Sequence, residues 1–124
     1  MLNLILLYIG SVLPVIWGIA HLFPTKNVVK GFGDISEDNK HIITMEWIIE
    51  GAALIFIGAV IFAAALIDHT NVISKTIYTL SFLMLNMLSI ISLFTGFKVN
   101  FLPFKLCPVI FTGSSILVIL GTYL

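Results

Sequence analysis

Hydrophobic residues run almost unbroken through four stretches, Leu2–Phe23, Thr44–Ile67, Val72–Thr95 and about Leu106–Leu124, and polar residues gather between them. The first three match the ~20 apolar residues that a tilted helix needs to cross a bilayer, and the fourth is at the short end of that range. None shows the alternation of a half-buried strand, and a transmembrane barrel would need more segments. The pattern predicts an all-α, polytopic membrane protein: one domain over residues 1–124, with helices at about 2–23, 37–67, 72–95 and 106–124. Consecutive spans joined by short connections make an antiparallel four-helix bundle.

The connections differ in character. Residues 24–43 form a polar loop with a turn at Gly31-Phe32-Gly33. Asp34 and Glu37 have capping-box spacing, and Ser36 competes as the cap. The second span is therefore expected to start in water near Ser36. Asp68-His69-Thr70-Asn71 makes a tight turn. Residues 96–105 interleave Phe97, Phe101 and Phe104 with Lys98 and Lys105, as in a segment lying at headgroup level. Small residues (Gly10, Pro14 and Gly18 in the first span, Gly51, Gly58 and several alanines in the second) suit close helix contact in lipid. They make the second span the expected centre of the bundle.

Composition sharpens the class. Of the 124 residues, 60% are hydrophobic and 10% charged, with a mean hydropathy of +1.16. A water-soluble domain of this size could not cover its surface with so few polar groups. Zero net charge gives no general attraction to nucleic acid. Lys26, Lys30, Lys40, Lys98 and Lys105 fall on one side of the spans and only Lys75 on the other. The positive-inside rule puts the five-lysine side in the cytoplasm and both termini on the non-cytoplasmic side. The expected location is a bacterial inner membrane. The basic region of a secretory signal is missing from Met1-Leu2-Asn3-Leu4, so the first stretch reads as a retained span.

Few residues can carry chemistry. His21 lies near the end of the first span, and Glu46 and Glu50 near the start of the second. An ionised carboxylate at mid-bilayer costs on the order of 2.5 kcal/mol or more, so such groups find a partner or a cavity. Glu46 and Glu50 lie four apart, on one helix face and about 6 Å apart along the axis, where mutual repulsion favours a proton on one of them. His21 is at matching depth, and Gly18 clears space beside it. These three side chains are expected to converge. Trp17 shares the face of His21, and Trp47 fits an interfacial anchor. Asn86 is a deep polar residue of the third span that either closes the cluster or bonds across helices. His41 is assigned to the surface, and Cys107 reads as a buried free thiol.

The set Trp17, His21, Glu46, Glu50 and Asn86 suits a binding site for a lipophilic or amphiphilic small molecule, or a proton relay. A purely structural hydrogen-bonded pair is the plainer alternative. A third nitrogen ligand is not evident at that depth, so no metal is expected. Phosphate loops, paired-Cys zinc sites and HExxH are missing. No reaction or cofactor is assigned. The expected partners are membrane lipid, a small molecule, and a second copy or another membrane protein. The competing function is that of a non-catalytic accessory subunit in a larger membrane complex.

The block Gly31-Phe32-Gly33-Asp34-Ile35-Ser36-Glu37-Asp38-Asn39-Lys40, continuing through Ile43-Thr44-Met45-Glu46-Trp47-Ile48 and Glu50-Gly51, resembles one found in small uncharacterised bacterial membrane proteins. In organisation the chain is similar to the DoxX-like group of four-helix membrane proteins. That resemblance implies the four-span architecture and no particular activity.

Overall fold

A computed structural model describes residues 1–124. It is all-helical: α1 (Leu2–Leu22), α2 (Thr25–Gly31), α3 (Glu37–Asp68), α4 (Val72–Gly96) and α5 (Leu102–Tyr123). The four long helices are each long and apolar enough to cross a membrane. Only 25 of the 124 residues are buried. Large side chains such as Ile16, Phe56, Leu80 and Phe94 face outward, as lipid allows and water does not.

The helix boundaries depart from the expected ones in two places. Residues 25–31 form a short helix where a loop was expected, starting directly after Pro24. The last long helix begins at Leu102 rather than near Leu106 because Pro103 sits in its first turn, where the missing N–H costs nothing. The remaining boundaries follow local chemistry. Ser36 is the cap of α3, its hydroxyl accepting from the Asn39 N–H, so the Asp34 capping box does not form. Gly33 takes a φ of 74°, the left-handed conformation that reverses the chain between α2 and α3. The Asn71 side chain caps α4 by accepting from the Ile73 N–H.

α1 packs against α3 and α5, α5 also against α4, and α3 and α4 touch more loosely. Close approach is made at glycines. A Cβ on Gly18 would lie 2.7 Å from the Gly51 carbonyl oxygen, and one on Gly58 would strike the Ser11 carbonyl. Gly10 faces Ser114 and Val118 of α5, and Gly121 faces Asn3 and Leu7 of α1. The most densely buried helix is α5, with eight buried residues in 22, against six in the 32 of α3. The second span is therefore not the centre. Part of α3 runs beyond its neighbours, and α5 instead buries several small residues (Ser114, Ser115, Gly121, Thr122), of which Ser114 and Gly121 meet α1.

Two apolar clusters fill the interior. Leu7, Ile61, Ala64, Ala65, Tyr78 and Val118 form one. Leu54, Leu85, Cys107 and Phe111 form the other, with Trp17 packed on its edge. Hydroxyl groups link helices in the interior. Ser89 donates to the Pro108 carbonyl at 3.1 Å and pairs with Thr112 at 2.7 Å. Pro14 deprives the Gly10 carbonyl of its helical donor, and the Ser114 hydroxyl of α5 takes that place.

Candidate functional site

The site begins where the small-residue contact between α1 and α3 ends. Gly18 against Gly51 draws the two backbones together, so the next turn of each helix must stack its side chains. His21 and Trp47 do so, with ring centroids 3.8 Å apart and planes 15° from parallel. The Trp47 indole N–H donates to the His21 carbonyl at 2.7 Å, which fixes the pair. Near the C-terminus of α1 that carbonyl has lost its helical donor, so the indole caps it.

His21 Nε2 lies 3.4 Å from Glu50 Oε2. The distance is that of an ion pair, but the direction does not meet hydrogen-bond geometry, and Nε2 is left buried with no hydrogen-bond partner. His21 is 9% exposed, whereas the Glu50 side chain is 47% exposed. The carboxylate thus connects an enclosed imidazole to the surroundings of the protein. A single proton can sit on either group.

On another side of His21 is a cavity of about 160 Å³. Its walls are aromatic and apolar, chiefly Trp17, Trp47, Phe101 and Phe104, with Ala20 and Cys107 between them. Phe104 meets Trp47 edge-on at 5.7 Å and Phe101 meets Phe104 at 5.5 Å, so the cap and first turn of α5 close one end. The Trp17 indole N–H points at Cys107 Sγ, 3.4 Å away, and the thiol lies 3.4 Å from the Pro103 carbonyl. No protein-family model matches the chain, and no curated protein or solved structure does so.

Of the residues expected to form the site, the structure brings together His21, Glu50 and Trp17. Glu46 does not join them. It is exposed, without an ion-pair partner, because Trp47 rather than Glu46 takes the position against α1, about 100° round the helix. Asn86 does not join either. Its amide donates to the Phe82 carbonyl of its own helix at 2.7 Å, and α4 packs on α3 and α5 rather than on α1. Two further residues belong to the site. Trp47 is a wall and a clamp on His21 rather than only an anchor. Cys107 lines the cavity, a placement no local pattern signals, since its bond to Trp17 spans 90 residues.

Proposed function

We propose that the protein binds the ring or head of a lipophilic or amphiphilic small molecule in the aromatic cavity, with His21 and Glu50 exchanging a proton with it. One observation carries the reading. An imidazole that is nine-tenths buried lines an aromatic cavity and turns an unpartnered nitrogen toward a half-exposed carboxylate. At 160 Å³ the cavity accommodates a few water volumes or one ring, well below a whole drug-sized ligand at about 300 Å³ or more. The remainder of the ligand lies in lipid. Glu50 takes or supplies the proton from outside, and His21 passes it to the bound group.

In the proposed setting the long helices are antiparallel in a bacterial inner membrane, in the manner of the DoxX-like group. The His21 end faces the cytoplasm, and both termini lie on the opposite side. The accessory-subunit reading is the weaker one, since the glycines that would suit a docking face are consumed inside the fold: Gly10, Gly18, Gly51, Gly58 and Gly121 all contact neighbouring helices.

Titration of the purified protein with an alkylphenol series tests the reading. Saturable quenching of tryptophan fluorescence and slower alkylation of Cys107 are expected. Ala20→Phe, which fills the cavity, should remove both effects. Glu50→Gln should preserve binding but abolish the proton uptake or release that accompanies it in weakly buffered solution. Quenching that never saturates, and that is equal in wild type and Ala20→Phe, would overturn the proposal.

A further inference from the structure

A second cavity owes nothing to the His21 site. The turn at Gly33 folds α2 back beside the start of α3 and leaves an open cleft of about 560 Å³ between them. Lys26, Lys30 and Lys40 line it, with Thr25, Thr44 and Asp34. Lys26 and Lys30 lie one helical turn apart and have no carboxylate within ion-pair distance, while Lys40 is held by Glu37 at 2.7 Å. Positive charge is therefore in excess. Both threonine hydroxyls already donate to backbone carbonyls, Thr25 to Leu22 and Thr44 to Lys40, so the lysines are the donors left for an anion.

The cleft does not end in solvent. Thr25, Lys26 and Thr44 also line an adjoining groove whose other walls include Leu22, Phe23 and Ile48. Since α1 ends at Leu22, the lysines sit where that helix would leave the hydrocarbon, and the groove lies between its last residue and the α3 side chain of Ile48. A polar basic chamber opening onto an apolar groove has the shape of an amphiphile whose head is anionic. Basic pockets at this level are where lipid phosphates bind.

We propose that the α2–α3 cleft and its groove bind one anionic glycerophospholipid, with the phosphate among Lys26, Lys30 and Lys40 and an acyl chain along Leu22, Phe23 and Ile48. Asp34 accepts a hydrogen bond from a headgroup hydroxyl, which suits glycerol. Native mass spectrometry tests this on protein released from vesicles of equimolar phosphatidylglycerol, phosphatidylethanolamine and phosphatidylcholine. Retained phosphatidylglycerol is expected to dominate. In K26Q/K30Q its excess should fall roughly ten- to thirtyfold, from about 1 kcal/mol per lysine. Both lysines are exposed, so the variant should keep its helicity by circular dichroism. K98Q/K105Q carries the same charge change away from the cleft and should retain the preference. Chainless glycerophosphoglycerol and inorganic phosphate should displace the lipid poorly, because neither fills the groove. An equal loss in K98Q/K105Q, a preference for phosphatidylethanolamine, or displacement by inorganic phosphate alone would each overturn the proposal.

Discussion

Trp47 shows how a single side chain changes the meaning of its neighbours. Its ring covers His21 while its N–H holds the His21 carbonyl, so one residue fixes both the plane and the backbone of the imidazole. The two contributions can be separated. Trp47→Phe keeps an aromatic face and loses the hydrogen bond, which should cost about 1 kcal/mol. Trp47→Ala also opens a void and should cost about 3–5 kcal/mol. Thermal unfolding in detergent, followed by circular dichroism, gives the order. The meeting of His21 and Glu50 was legible because depth along a helix is simple arithmetic: both residues lie a similar distance inside their spans. Which of two carboxylates would face the histidine was not legible. Glu46 and Glu50 differ by only about 40° around the helix, and the choice falls to the glycine contact that sets the rotation of α3.

Helices in lipid gain little from hiding apolar surface against each other, so their association depends on how closely the backbones approach. This makes the glycines of α1 and α3 unequal to the one at position 113. A methyl group on Gly58 meets backbone of α1, which cannot swing aside. Gly58→Ala should destabilise by about 1–3 kcal/mol, measured as the loss of helicity in a denaturing detergent titration. A methyl group on Gly113 would meet nothing within 4 Å, so Gly113→Ala should be neutral or stabilise by up to about 1 kcal/mol. The small-residue spacing announced these contacts, and the apolar runs announced the long helices. The short α2 was hidden because its seven residues are too few for a period to show, and two of them are the β-branched pair Val28-Val29. Pro103 concealed the start of α5, since a proline reads as a stop although the first helical turn accepts it.

Across the whole molecule, length separates one helix from the rest. The 32 residues of α3 extend about 48 Å, against roughly 30 Å of hydrocarbon, so α3 is longer than one crossing needs, and its first turns lie beside α2. The arrangement proposed for the membrane then places Lys30 in the cytoplasm. In a Cys107→Ser background, Lys30→Cys should resist a membrane-impermeant maleimide added to intact cells and react once they are opened. Asn3→Cys should react from outside. Reversal of the two results reverses the orientation. The four long apolar helices could be read from hydropathy alone because each run is long and uninterrupted. Neighbour relations could not, because the face each helix turns inward is set by glycines and hydroxyls scattered among similar apolar residues.

The carbonyl of Gly10 ties the two ends of the chain together. Pro14 leaves it without a donor inside α1, and the hydroxyl that serves it is 104 positions later, on α5. In hydrocarbon an acceptor with no donor costs several kcal/mol. A chain that ended before α5 would keep its other helices and lack the hydroxyl that meets this need.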